Sequence, residues 1–515
     1  MPLDAPISRR VFLRNGAILS TALLAGVPRF PWIGGGGEAE AALMGVGQEL
    51  RETLNLETVN RILIEALRRG GEYADLFAEQ RFLTSIILDG GKIDSVSYGY
   101  PRGGGVRVVY RAQTGYSFVD SIGYEDLLGA ASIASTVVVN QSPVMPPDVV
   151  PRHPRPPFVL PSPAPLDQES AKFDLVRRMD AAARSVDPRI ASVRIEYQDE
   201  IREILIGASD STYFTERQYL VSVTCVPIAV DGSNRSSGFG SLGGRVDAEY
   251  LTRNDPEAVA RKAAQQAITL LTAGPAPAGP MPVVVEAGWG GVLIHESLGH
   301  GVEGEGVRRG TSIYAGLLGK QVGSPLLRVV DNGRWPNGRG SYTTDDEGVP
   351  SRQTVLVDGG ILQSYLLDRA NANLLRLQPT GNGRRMSYRH PPLARMTNIY
   401  IDRGTSDPMS LLNGIQKGFY AAELGGGSVD PTSGNFNFQV LEGYLIEGGR
   451  LTQPVRGAVL IGNSLETLGR LEGVGTDLVV EQSRGTCGKD GQRVPVGVGQ
   501  PTVRFSSITV GGTAT

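Results

Sequence analysis

The chain has 515 residues, long enough for several domains and a substantial core. Its 50 Lys and Arg against 53 Asp and Glu leave a net charge of −3, which argues against nucleic acid or an anionic membrane as the main partner. Aromatics are sparse at 6% while glycine reaches 68 residues, a composition that fits a β-rich, turn-dense fold.

The N-terminus carries an export pattern. Ser8-Arg9-Arg10-Val11-Phe12-Leu13-Arg14 matches a twin-arginine signal ahead of an apolar stretch from Ala17 to Val27. That stretch is too short and too rich in small residues to span a membrane, and Ala39-Glu40-Ala41 offers an A-x-A cleavage site. Residues 1–45 are read as a signal peptide, and the protein as periplasmic or extracellular with no stable membrane insertion.

An N-terminal α/β domain is expected over 46–141. Apolar residues at helical spacing from Leu50 to Arg69 predict a helix ending at Gly70-Gly71. Strands follow at Asp75–Phe82, Ser85–Leu88 and Gly105–Tyr110, then a helix from Tyr124 to Val137. The proline-dense stretch 142–167 reads as an extended linker, with His153 solvated in it. A middle α/β domain, 168–280, opens with a helix over Gln168–Val186. Alternating strands run through Ala191–Tyr197, Ile201–Ala208, Ser211–Val221 and Val223–Val230, and a helix over Pro256–Leu271 closes the region. A β-rich C-terminal domain, 281–515, is expected to hold strands at Pro282–Glu286, Thr354–Val357, Leu362–Asp368, Asn398–Asp402, Phe436–Ile446 and Ala458–Ile461.

The most informative stretch follows the first of these strands. Residues 295–300 read His-Glu-Ser-Leu-Gly-His, which places two imidazoles and a carboxylate within six residues. In the common His-Glu-x-x-His arrangement the histidines lie four apart, about 40° around a helix. Here they lie five apart, which an ideal α-helix turns by about 140°. The motif is therefore a metal site on a distorted helix, or no metal site at all. A π-turn or a helix end between Glu296 and Gly301 is predicted, with Gly299 and Gly301 permitting the bend.

A third protein ligand is needed, and Cys487 is the best candidate. Glycines flank it, and Lys489 is expected to favour its thiolate. The competing reading is a disulfide with Cys225, the only other cysteine, which otherwise looks like a small buried residue in a strand. The acidic segment Thr344–Glu347 reads as a solvated turn in preference to a brace for a metal histidine. Glu303 and Glu305 read as caps or braces after His300 in preference to extra ligands. Arg384, Arg385 and His390 fall in a polar stretch suited to lining a substrate channel.

Taken together, HESLGHGVEGEGVRRGTS (295–312), TDDEGVPSRQTVLVDGGIL (344–362), PTGNGRRMSYRHPPLARMTN (379–398), GGGSVDPTSGNFNF (425–438) and GTCGKDGQRVPVGVGQPT (485–502) resemble the TldD/PmbA family of metallopeptidases, specifically its catalytic TldD type. The resemblance spans roughly Gly47 to the C-terminus and implies an α+β fold. It maps the family's HExxxH motif onto His295, Glu296 and His300, and its metal-binding cysteine onto Cys487. It also implies a dimer, either a homodimer or a heterodimer with a PmbA-type subunit. Family members are typically cytoplasmic, so the export signal departs from the common pattern.

The function expected is a zinc-dependent peptidase. One Zn2+, or another divalent metal, is held by His295, His300 and Cys487, with Glu296 as general base toward a metal-activated water. The substrate expected is an extended, unstructured peptide or unfolded protein, paired to a strand edge through its backbone. The rival readings are a non-catalytic partner or scaffold subunit of a TldD/PmbA-type complex, and a structural metal site closed by a fourth ligand such as Glu303 or His390.

Overall fold

The computed structural model describes residues 48–156, 169–246 and 248–512. The twin-arginine segment, its cleavage site and residues 157–168 of the proline-dense stretch lie outside the described residues. Among the described residues no helix is long and apolar enough to cross a membrane.

The first half of the chain builds one nine-stranded sheet. Its strands are β1 (Tyr73–Asp89), β2 (Lys92–Gly99), β3 (Arg102–Tyr110), β4 (Gln113–Val119), β5 (Val150–Pro151), β6 (Ile190–Ala208), β7 (Thr212–Asp231), β8 (Asn234–Ser237) and β9 (Gly240–Gly244). They run in the order β4-β3-β1-β6-β7-β5, with β2 on β1 and both β8 and β9 on β7. The segments expected as separate short strands are continuous: β1 covers two of them, and β6 and β7 two each. In β7 buried and half-buried residues alternate over most of its length, the period-two signature of a sheet covered more fully on one face.

That alternation sorts the two faces of β1. Ala74, Leu76 and Ala78 join Leu205 of β6 under the helices Leu56–Ala66 and Tyr124–Ala134. Farther along the sheet, helices Glu169–Arg184 and Pro256–Leu271 cover Val193, Ile195 and Val223. On the opposite face Phe77, Ile204, Ile206 and Phe214 pack against Tyr388 from the C-terminal half. The helix expected from Leu50 to Arg69 is two helices, Gln48–Thr53 and Leu56–Ala66. The Asn55 side chain accepts from the Thr58 N–H and caps the second one.

The C-terminal half holds an eight-stranded and a six-stranded sheet. The strand Gly279–Val285 lies in the larger sheet, between Lys417–Val429 and Val503–Gly511, and runs into the candidate metal segment. The largest core cluster joins Val283 and Phe419 of the larger sheet to Val329, Ile399 and Val498 of the smaller one. Val292, Leu293, Ile294, Leu298 and Val302 are buried in that cluster, so the polar motif rides on a well-anchored apolar face. One expected strand fails: of Leu362–Asp368 only Leu362 is in a strand. Asp368 instead caps the helix Arg369–Leu375 by accepting from the Asn371 N–H at 2.6 Å, a role that stops extended pairing there.

Candidate metal centre

The two histidines sit on a helix of changing pitch. A 3-10 turn at Trp289–Gly291 leads into one α-turn, Val292–Ile294, then a π-turn over His295–Gly299 and a 3-10 turn over His300–Val302. The His300 N–H donates to the His295 carbonyl, an i→i+5 bond that stacks residues five apart. This is the departure from α-geometry that the ligand spacing demands. The two imidazoles end with ring centroids 5.1 Å apart and planes at 88°. The Tyr314 hydroxyl donates to the Ser297 carbonyl at 2.7 Å, satisfying a backbone group inside the π-turn.

The expected reason for the bend is corrected. Gly299 has φ −53°, an ordinary helical value, and Gly301 is not among the residues of positive φ, so neither supplies left-handed freedom. They are glycine because of crowding. A Cβ on Gly299 would lie 2.0 Å from Met396 Sδ, and one on Gly301 2.4 Å from Tyr314 Cδ2.

Cys487 arrives from a hairpin, Thr486–Lys489 paired with Gln492–Pro495. The turn residues Asp490 and Gly491 both have positive φ, as a tight two-residue turn of this kind requires. Arg395, fully buried, donates to the Cys487 carbonyl at 2.6 Å and pins the hairpin. The thiol lies 3.5 Å from His300 Nε2, and one ligand atom from each of His295, His300 and Cys487 falls within 4.8 Å of the others. Ligands of a tetrahedral zinc with N and S donors stand about 3.5 Å apart, so the cluster needs little contraction to hold an ion. His295 Nδ1 is buried without a hydrogen-bond partner, which fits a ring oriented by a group other than the protein.

Burial alone would raise the Cys487 thiol, but the adjacent imidazoles of His295 and His300 hold it well below its usual value. Lys489 does not play the part expected of it. Its ammonium pairs with Glu303 at 3.0 Å and Glu305 at 2.6 Å instead. The disulfide reading is excluded: both cysteines are free and buried, and Cys225 sits in the separate core beneath the middle helices. Burial pushes the Cys225 thiol up to about 12.

Glu303 is the residue that sequence reasoning undervalued. Its Oε2 lies 3.1 Å from His300 Nδ1, so it orients the ring and leaves Nε2 for the cluster. Burial disfavours its charge, yet Lys489 and His300 hold the carboxyl down at about 2. The signal was the three-residue spacing, which leaves the carboxylate within reach of the ring although Glu303 itself is extended at the helix end. Glu305 accepts from the Ala394 N–H and from Lys489, bracing the same region. Glu296 Oε2 stands 4.0 Å from His300 Nε2, with its side chain 18% exposed.

The remaining candidates lie elsewhere. His153 is exposed and His390 contacts Ser387 at 3.1 Å. Among the described residues the metal-competent group contains neither His390 nor Glu303, so neither closes the site as a fourth ligand. The acidic segment is no solvated turn: Asp345, Asp346 and Glu347 are buried. Glu347 bonds Arg107 at 2.7 Å and accepts from the Arg369 N–H, and Asp345 accepts from the backbone of Val349 and Gly383. Glu347 thereby ties the two halves of the chain together, and neither carboxylate bonds His295 or His300. Arg384 and Arg385 are buried and face a cavity beneath the long strands.

Comparison with known proteins agrees with this architecture. Residues 278–512 match the PmbA/TldA metallopeptidase C-terminal domain, 162–271 its central domain and 74–137 its domain 1. A metalloprotease TldD homolog of Haemophilus influenzae is 39% identical over 469 residues, covering 89% of this chain and 97% of its own. A metalloprotease of Methanothermobacter thermautotrophicus is 34% identical, with 86% and 96% covered. A zinc metalloprotease TldD homolog of Saccharolobus solfataricus is 30% identical over 67% of this chain and 76% of its own. Among solved structures, TldE from Thermococcus kodakarensis has the same fold, with a TM-score of 0.71 at 20% identity over 88% of this chain and all of its own.

Proposed function

The chain belongs to the TldD/PmbA family of metallopeptidases, and from that premise we propose that it is a zinc-dependent peptidase acting on extended, unstructured peptides, with Glu296 as its general base. The observation that carries this reading is the convergence of His295, His300 and Cys487 beside the Glu296 carboxylate. Two imidazoles and a thiolate are a donor set that suits zinc, and such three-ligand sites keep a position open for reaction. When bound, the ion supplies Lewis-acid polarisation of the scissile carbonyl and a water acidic near neutral pH.

The protein's own groups do the rest. Glu296, half-buried next to the ligands, is placed to take the proton of the attacking water and pass it to the leaving amine. Glu303 holds the His300 ring in register throughout. Backbone pairing of an extended peptide reads main chain more than side chains, which supports broad specificity. Metal analysis with peptide cleavage by wild type and Glu296→Gln tests the assignment. A metal-replete wild type that cleaves no unstructured peptide would overturn it.

The same proposal includes twin-arginine export, supported by Arg9-Arg10 ahead of the apolar stretch, and a dimeric state, homomeric or with a PmbA-type subunit. Export of a folded reporter fused to residues 1–45, and the mass of the purified protein in solution, test these two points.

A further inference from the structure

A cavity lies between the long strands β1, β6 and β7 and the C-terminal half, and arginine dominates its walls. Arg81, Arg202, Arg245, Arg384, Arg385 and Arg493 line it, against the acids Glu200 and Asp346. Three of the six arginines have acidic partners and a fourth faces solvent. Arg81 pairs with Glu200 at 2.7 Å, Arg202 with Glu79 at 2.7 Å and Arg385 with Asp75 at 3.1 Å, while Arg493 is exposed at the rim.

Arg245 and Arg384 are different. Both are buried, at 5% and 4% exposure, and neither has a carboxylate partner among the described residues. Arg384 spends its donors on the carbonyls of Met396 and Pro495, and its guanidinium lies over the Tyr342 ring. Arg245 has one long contact, 3.4 Å to Gln218 Oε1, and its Nε is buried with no partner. Glu216 is the strongest charge acting on Arg245, but it makes no ion pair with it and accepts instead from the Thr343 N–H and Gln218. Arg202 Nη2 and Arg385 Nε are likewise buried and unpartnered. Burial costs such cations dearly unless a counter-ion completes them, and here burial lowers Arg245 to about 10.

The missing partner is an anion, and the fork of a guanidinium matches a planar carboxylate in two-point contact. The position of the cavity says where that carboxylate comes from. Val494 and Pro495 form part of its wall, and Val494 is the residue paired across the hairpin with Cys487. Paired residues on such a hairpin stand about 5 Å apart at the backbone, so one hairpin carries both a wall of the cavity and the candidate ligand Cys487. We propose that this arginine-lined cavity binds a carboxylate of the substrate peptide, either its C-terminal α-carboxylate or an acidic side chain. The inference rests on the peptidase reading above and adds charge selection to it.

The experiment uses the metal-loaded full-length protein and one peptide in three forms: free acid, C-terminal amide, and free acid with its Glu replaced by Gln. A carboxylate held by a buried guanidinium should favour the preferred form by about tenfold in kcat/KM, carried by KM. The amide and the Gln form tell the α-carboxylate from the side chain as the source. Arg245→Gln should bring the ratio close to one, and Arg245→Lys, which keeps the charge without the fork, should fall between. Thermal unfolding with and without succinate reads the same site without catalysis: wild type should be stabilised and Arg245→Gln should not. Equal kcat/KM for all three forms would overturn the proposal, even if succinate binds, because a free anion would then be its occupant. If no peptide is cleaved at all, the peptidase reading fails instead, and the carboxylate site is then read from thermal shifts with the same three peptides: a larger shift for the free acid than for the amide or the Gln form upholds it, and equal shifts for all three overturn it.

Discussion

His300 Nδ1 and Glu303 Oε2 stand 3.1 Å apart, and that contact decides which ring nitrogen of His300 faces the ligand cluster. Glu303 is itself held by Lys489 at 3.0 Å and buried to 2% exposure, so the carboxylate is anchored and charged. Removing such an orienting partner typically weakens metal binding by about 10–100-fold. Glu303→Gln should show that loss in a chelator-competition titration. Unchanged metal affinity in a folded Glu303→Gln protein would reduce the contact to a structural brace.

Glu296→Gln keeps the shape of the side chain and removes the proton acceptor. Metal content should stay near that of wild type, because Glu296 is outside the ligand group, while peptide cleavage should fall by at least about a hundredfold. Cleavage at near wild-type rate by the metal-loaded variant would remove Glu296 from the chemistry.

The two cysteines should respond oppositely to chelation. Cys487 is buried beside His295 and His300 and its thiol is held well below its usual range by the two imidazoles, so, if the three hold a metal, alkylation should be slow with it bound and fast once a chelator opens the site. Cys225, pushed up to about 12 within its own core, should stay unreactive in both states. Mass mapping of the labelled peptides reads both at once. Equal labelling of Cys487 with and without metal would remove the thiolate from the site.

The histidine motif of the candidate site was legible in the sequence because its chemistry is local. His295, Glu296 and His300 fall within six residues, and the mismatch between five-residue spacing and α-helical pitch made the π-turn a requirement. What escaped was set by packing between distant segments. Nothing near Thr344–Glu347 says that Arg107, some 240 positions earlier, will cross from the sheet to neutralise Glu347 in the interior. Gly299 misled for the same reason. Glycine beside a helix irregularity suggests backbone freedom, yet the cause is a methionine nearly a hundred residues away. Helix boundaries followed the same rule: Pro256–Leu271 was readable from its own residues, whereas the break at Asn55 hung on one cap competing with a continuous apolar face.

Around Asp75 the seam between the halves is ionic and closed to solvent. Arg107 bonds Asp75 at 2.5 Å and Glu347 at 2.7 Å, and Arg385 reaches Asp75 at 3.1 Å, all nearly free of solvent. Asp75→Asn would strip Arg385 of its carboxylate partner and leave Arg107 with one. Breaking a buried pair in this way costs about 3–5 kcal/mol. Denaturant unfolding should show a loss of that order, and a double-mutant cycle with Arg385→Met should return a large coupling. A loss under about 1 kcal/mol would mean that water relieves the seam.

Gly299 offers the sharpest separation of backbone from packing effects. With φ −53° its conformation suits alanine, which by helix propensity alone should stabilise by up to about 1 kcal/mol. The structure predicts the opposite sign. A methyl 2.0 Å from Met396 Sδ and 3.2 Å from Ile399 Cδ1 forces the Met396 side chain to move within a core where it is fully buried. Overpacking of this kind costs about 1–3 kcal/mol and should push the π-turn out of register, so Gly299→Ala should lose both stability and metal affinity. Met396→Ala removes the clashing atoms, so adding it should restore metal affinity to the Gly299→Ala protein. A glycine needed for backbone freedom would not be rescued by trimming a side chain from another segment, and failure of the double variant to recover metal binding would return the explanation to the backbone.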